Sequence, residues 1–109
     1  MITIESVFPK IDTTYNLASG MYERLQKHIE NFIKTLDDTQ HPLLLVGDLI
    51  VEDIGYHNPH LLIFHGTDLQ GNPTRKFVHI NALNMDLKAL KTQDAETPKR
   101  PIGFLGPAV

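Results

Sequence analysis

Histidine is the most concentrated chemistry-bearing residue type in this sequence, with six in 109 residues. Four of them gather around two apolar segments that predict a β-hairpin: His57, His60, His65 and His79. If residues 67 and 72 close the turn, His60 falls opposite His79, and the two side chains could converge on a metal or an anion. We adopt the more ordinary interpretation, that these are strand and loop histidines with hydrogen-bonded partners.

The histidine spacing does not indicate a particular metal. His57 and His60 are separated by Asn58-Pro59, which excludes the helical histidine pair of metalloproteases. The chain contains no cysteine, so it has no disulfide, no thiolate nucleophile and no cysteine-ligated zinc. We therefore predict no metal site, no cofactor and no catalytic residue.

Two carboxylates and one aromatic residue are the other candidates. Glu52 and Asp53 are adjacent, and neighbours on a strand point to opposite faces, so they are not predicted to act as a paired acid and base. Either one could serve with a histidine, or could stabilise a turn before Gly55. Tyr56 could stack on a nucleotide base, or could be a core ring with its hydroxyl at the surface.

Charge and the known motifs narrow the classes of function. The formal net charge is −3, which disfavours nonspecific DNA binding. The seven glycines are scattered singly, so the chain carries no phosphate loop, nucleophile elbow or dinucleotide fingerprint. No apolar run approaches the roughly 20 residues that span a bilayer, and the first residues lack the pattern of a signal peptide. We expect a cytoplasmic protein that does not enter a membrane, and we favour a binding role over catalysis, which stays open as an alternative.

The pattern of apolar residues predicts a single α+β domain over 1–109. Residues 1–18 are interpreted as an N-terminal arm, and the apolar stripe from Met21 to Leu36 predicts an amphipathic helix over 19–38 that follows Ser19. Short apolar runs and the turn at Gly71 predict an antiparallel sheet over 43–90. Within it, residues 83–90 suit a strand or two helical turns, and we favour the strand. A polar connector over 91–101 and a docking tail over 102–106 complete the chain.

One resemblance covers roughly residues 21–105. The segments Glu52-Asp53-Ile54-Gly55-Tyr56, Phe64-x-Gly66 and Ile102-Gly103-Phe104 resemble those of a small bacterial family known only as a domain of unknown function. That resemblance implies no catalytic residues.

A second resemblance is architectural. A helix, strands at 43–56, 60–67 and 75–80, a kink near Asn81-Ala82 and a further strand resemble the Sm-like small barrel, with residues 77–81 at the place of that family's second motif. The resemblance implies assembly through edge strands and binding of single-stranded RNA or nucleotides. The predicted fold is thus an N-terminal helix packed on a small, strongly bent antiparallel sheet or an Sm/SH3-like partial barrel.

Four hypotheses about function follow. The leading one is a noncatalytic, homo-oligomeric binding module, because apolar segments at both ends can exchange with neighbours and a short sheet has open edges. The second is binding of a nucleotide or short single-stranded RNA. Its candidate ligand-binding residues are Tyr56, His57, His60, Arg75 and His79. The third is a metal enzyme that uses His57, His60, His79 and Asp53, and the fourth is a small inhibitor or ligand-sequestering protein.

Overall fold

The computed structural model of the protein describes residues 13–91 and 102–108, which form one α-helix, six strands and one 3-10 helix. In chain order these are α1 (Ala18–Lys34), β1 (Gln40–Val46), β2 (Leu49–His57), β3 (Leu61–Thr67), β4 (Pro73–His79), the 3-10 helix (Ile80–Ala82), β5 (Asp86–Lys91) and β6 (Gly103–Pro107). The predicted α+β class is confirmed. Most of the predicted arm, residues 1–18, and nearly all of the predicted connector, residues 91–101, lie outside the described residues.

The strands form one open, bent sheet in the order β4-β3-β2-β1-β5, with antiparallel neighbours throughout. β2 pairs with β3 from Ile50 to His57, and a bulge between Val51 and Asp53 interrupts that pairing. A bulge bends the strand that carries it. As a result β2 pairs with β1 at Leu49 and Ile50, and with β6 in parallel over Asp53–Tyr56. β4 and β5 end the strand path and do not pair with each other.

The apolar side of α1 lies across β2 and β3, as the sequence predicts. Ile29, Leu62 and Phe64 are fully buried where helix and sheet meet. Burying a side chain of this size stabilises the folded state by about 1.5–3 kcal/mol. Helix and sheet therefore share one hydrophobic core.

The helix is shorter than predicted at its C-terminal end and starts one residue earlier. It ends at Lys34, after which the Thr35 hydroxyl donates to the Phe32 carbonyl oxygen, 2.7 Å away. Asp37 then accepts hydrogen bonds from the backbone N–H and the hydroxyl of Thr39, which stabilises a turn in competition with the helix. Ser19 lies inside the first turn and does not cap it. No helix of the described residues is long and apolar enough to cross a membrane.

The predicted hairpin is confirmed, and the segment left open between strand and helix is a strand, although it spans Asp86–Lys91 and not 83–90. Gly71 has a φ of +84° in the β3–β4 turn, the left-handed conformation predicted for it. Residues 86–91 form a strand and not a helix, paired with β1. The predicted docking tail forms β6 and places Phe104 against the ring of Tyr22, with 5.9 Å between ring centroids.

Candidate ligand-binding site

The structure brings together two of the five predicted ligand-binding residues. The rings of His60 and His79 lie side by side, with 5.1 Å between centroids. Tyr56 is half-buried and packs on Tyr22 in the core, with 4.8 Å between ring centroids. His57 is exposed at the end of β2, and Arg75 is exposed on β4. The predicted constellation is thus divided between separate places on the molecule.

The pairing of His60 with His79 is displaced by one residue from the prediction. Residue 67 pairs with residue 73, so Leu61 and not His60 is opposite His79. The predicted closure of the turn by Thr67 and Asn72 was wrong, because Asp68 accepts hydrogen bonds from the backbone of Gln70 and Asn72 and holds a longer turn. His60 immediately precedes β3, and its carbonyl oxygen accepts from the Ile80 N–H at 2.9 Å. Its ring therefore meets His79 diagonally at the end of the hairpin.

One hydrogen bond determines which ring nitrogen of His79 carries the proton. The backbone N–H of Asn81 donates to Nδ1 of His79 at 3.0 Å, which caps the 3-10 helix. A neutral imidazole that accepts at Nδ1 carries its proton on Nε2. The free nitrogen of His79 is therefore a hydrogen-bond donor, suited to an acceptor such as a phosphate or carboxylate oxygen and unsuited to a metal ion. Among the described residues no group of three or more His, Cys, Asp or Glu could hold a metal.

A cleft of about 560 Å³ opens beside His60, and His79 is not one of its lining residues. Its lining comes from the hairpin end, from α1 and from the turn before α1: His60, Ile80, Asn81, Met21, Arg24, Tyr15 and Asn16. The Arg24 guanidinium lies 4.0 Å from the centroid of the Tyr15 ring. This cation–π contact holds a permanent positive charge at the wall opposite the hairpin. The cleft thus combines one full cation with several hydrogen-bond donors.

Contacts between the β2–β3 loop and the start of α1 hold the two walls together. The Ser19 N–H donates to Oδ1 of Asn58 at 2.9 Å, and Nδ2 of Asn58 donates to the Ser19 hydroxyl at 3.2 Å. The Ala18 N–H donates to the carbonyl oxygen of Pro59 at 2.7 Å, next to a cis Asn58–Pro59 peptide bond. The first N–H groups of a helix have no partner within the helix. The loop that carries His60 supplies those partners, so His60 and Arg24 are held in a fixed relation.

Sequence reasoning missed Arg24 and Tyr15. On a helix whose apolar stripe runs from Met21 to Leu36, Arg24 belongs to the polar side that is expected to face solvent, and residues 13–17 carry no motif. Their contact depends on the turn before α1, in which the Leu17 N–H donates to the Thr14 carbonyl oxygen at 2.9 Å. The only available signal was an arginine one helical turn after a predicted helix start, and that pattern is not specific.

The opposite surface of the sheet, which we call the outer face, holds the other candidates. Strand pairing there aligns Asp53, His65 and Arg75 in one row across β2, β3 and β4, and Gly55, Ile63 and Phe77 in the next. A groove of about 310 Å³ runs over the second row, and Leu105 of β6 lines it. Glu52 sits at the bulge and lines a neighbouring hollow with His65 and Arg75, so the strict alternation predicted for Glu52 and Asp53 is interrupted there.

The two regions differ in what they can do. The cleft presents hydrogen-bond donors and a cation, which are groups that suit an acceptor-rich anion. The outer face presents apolar side chains beside a charged row, as an interface for a protein surface does. Comparisons with known protein families, with curated proteins and with solved structures find no match to this chain.

Proposed function

We propose that the protein acts in the cytoplasm as a noncatalytic, homo-oligomeric binding module. The observation that carries this proposal is the open sheet, in which β4 and β5 end the strand path and, within residues 13–91 and 102–108, each has one edge that pairs with no other strand. An exposed strand edge presents a row of N–H and C=O groups that pair readily with another strand. Because the two edges belong to different strands, β4 of one copy pairing with β5 of the next makes a head-to-tail contact that closes into a ring or extends as a chain.

Side chains on the two edge strands support the same proposal. Phe77 on β4 is 60% exposed and Leu90 on β5 is 37% exposed. Pairing between copies would remove part of this apolar area from water. The element order, with a 3-10 helix between β4 and β5, is also the order on which the resemblance to Sm-like small barrels rests, and such barrels assemble through edge strands.

The experiment removes one backbone N–H group from the open edge of β5 and keeps the fold of the chain. Pro42 on β1 lies opposite Ala89 on β5. Because Pro42 has no N–H to donate, the two residues are taken as a non-hydrogen-bonded pair of the antiparallel ladder. The N–H of Ala89 then points to the open edge, so Ala89→Pro blocks pairing with another copy without breaking the β1–β5 ladder. Ala89→Ser is the matched control, because it keeps the N–H.

Native mass spectrometry and light scattering at tens of micromolar give the readout. We expect an oligomer for the unmodified chain and for Ala89→Ser, and a smaller species for Ala89→Pro. A strict monomer in all three proteins contradicts the proposal. An oligomer that is unchanged in Ala89→Pro shows that the β5 edge is not the contact.

A second candidate function is binding of a nucleotide or a short single-stranded RNA in the cleft. The observation that favours it is the set of hydrogen-bond donors that line the cleft, in which the Arg24 guanidinium and the side-chain amide of Asn81 suit phosphate oxygens. The exposed Tyr15 ring offers a surface for base stacking, which contributes about 1–3 kcal/mol per base.

Calorimetry with nucleoside monophosphates and a short oligoribonucleotide tests this candidate. Arg24→Gln is expected to weaken binding at least tenfold, because it removes a charge-assisted phosphate contact. Arg75→Gln makes the same change of charge on the outer face and is the control. Equal affinity in both variants, or no binding by the unmodified chain, contradicts a nucleotide site in the cleft.

A further inference from the structure

The side chain of His60 is exposed and lines the cleft. Its backbone is held in place, because its carbonyl oxygen accepts from the Ile80 N–H at 2.9 Å and Asn58 in the same loop is bound to Ser19. Within residues 13–91 and 102–108 neither ring nitrogen of His60 makes a hydrogen bond, and its ring contacts that of His79. The imidazole is therefore fixed beside the cleft with both nitrogens free to meet a ligand.

The two histidine rings differ in how readily they can take up a proton. Nδ1 of His79 already accepts the Asn81 N–H, so a proton on that nitrogen would break the cap of the 3-10 helix. His60 loses no such hydrogen bond when its ring is protonated. Two imidazolium rings with 5.1 Å between their centroids would also repel each other. The pair therefore takes up one proton first, and that proton goes to His60.

The groups around His60 leave its counter-charge to a ligand. The titratable or charged side chains that line the cleft or contact the His60 ring are Arg24 from α1, Tyr15 from the turn before it and His79 from β4. No carboxylate is among them in the part of the chain that the structure describes. A negative charge that holds a proton on His60 must then come from an anion in the cleft, and both ring nitrogens of the protonated imidazole can donate to it.

We propose that the cleft binds its anionic ligand together with a proton that His60 takes up, so that affinity rises as the pH falls from about 8 to about 5, where histidine titrates. The inference rests on the proposed binding of a nucleotide or short RNA in the cleft and adds its regulation by pH. Arg24 supplies a charge that does not depend on pH, and protonated His60 adds a second charge-assisted hydrogen bond. Uptake of one proton raises the affinity by at most about tenfold per pH unit.

Calorimetry with a short oligouridylate that carries no terminal phosphate tests the proposal. The charge on its phosphodiesters and bases does not change over the pH range in question, so any pH dependence belongs to the protein. The heat of binding is measured in two buffers of different ionisation enthalpy, because the difference between them counts the protons taken up. We expect uptake of up to about one proton per ligand, and affinity about tenfold higher at pH 6 than at pH 8.

His60→Gln should abolish both the proton uptake and the rise in affinity at low pH. His28→Gln is the matched control and should keep both, because His28 is exposed on α1 and does not line the cleft. If the unmodified chain binds the oligouridylate without taking up a proton, or His60→Gln takes up as much, the role of His60 is overturned and the nucleotide site stands. If the unmodified chain does not bind it at any pH from about 5 to 8, the nucleotide site and this inference both fail.

Discussion

The ammonium nitrogen of Lys76 donates to the carbonyl oxygen of Val46, 3.2 Å away, although the two residues lie on β4 and β1 with β3 and β2 between them. In a flat sheet, strands three positions apart are separated by roughly 14 Å. The hydrogen bond therefore reports how strongly the sheet curls. It also ties the β1–β2 turn to the edge strand proposed for self-association.

Removing this hydrogen bond should weaken the bending of the sheet and lower the stability of the fold slightly. We expect Lys76→Met to lower the free energy of unfolding by about 0.5–1.5 kcal/mol, because one hydrogen bond at a partly exposed position contributes about that much. Urea unfolding measures the difference. Lys88→Met on β5 is the control, since its exposed side chain changes in the same way without this contact. Equal losses in both variants would show that the Lys76–Val46 hydrogen bond contributes nothing.

A larger loss of stability is expected from a substitution at Gly66, where β3 passes close to the backbone of β2. A Cβ atom at Gly66 would collide with the carbonyl oxygen of Ile50 on the paired strand, and backbone there cannot move without opening the ladder. We expect Gly66→Ala to cost about 1–3 kcal/mol or more, in the range of an overpacked core. Gly71→Ala is the comparison, because nothing lies within 4 Å of its added Cβ and only its φ of +84° opposes the change. Thermal unfolding should rank Gly66→Ala below Gly71→Ala.

Acid should weaken the β3–β4 turn. Hydrogen bonds from the backbone of Asn72, and also from its side chain and from Gln70, hold the pKa of the Asp68 carboxyl below its usual value. A carboxyl whose pKa is lower in the folded state stabilises the fold above its unfolded pKa. That contribution is lost as the pH falls through the folded value. Asp68→Asn should remove this part of the pH dependence, which unfolding measured from neutral pH down to about pH 2 detects.

The C-terminal strand should depend on one tyrosine hydroxyl. The N–H of Gly106 donates to the Tyr22 hydroxyl oxygen at 3.1 Å, and burial raises the pKa of Tyr22. Tyr22→Phe removes the acceptor, keeps the ring and is expected to cost about 1 kcal/mol. Hydrogen exchange at residues 103–107 should quicken more than at β3. Tyr56→Phe, in the same aromatic cluster, is the control, and equal exchange in both variants would contradict the assigned role of Tyr22.

Most of this fold could be predicted from local sequence patterns, because a helix stripe or a tight turn is determined by residues that are close together in the sequence. The stripe from Met21 to Leu36 repeats with helical spacing, and the turn around Gly71 needs a residue that tolerates positive φ. The bulge near Glu52 and the parallel pairing of β6 depend on contacts between distant segments. No local pattern marks them. The contact between the Arg24 wall of the cleft and the hairpin end also depends on distant segments. It rests on the hydrogen bond between Ser19 and Asn58, which are 39 positions apart in the sequence.

Asn58 is the residue through which that long-range contact can be broken. Its side-chain amide accepts from the Ser19 N–H and donates to the Ser19 hydroxyl, in place of a capping side chain within the helix. Asn58→Ala should cost about 1 kcal/mol, the value of a lost helix cap. Because the same loop positions His60 beside the cleft, this variant should also weaken phosphate-ligand binding, whereas the equally exposed Asn31→Ala should not. Loss of stability without loss of affinity would separate the fold of the loop from the chemistry of the cleft, and would argue that His60 is not part of the binding site.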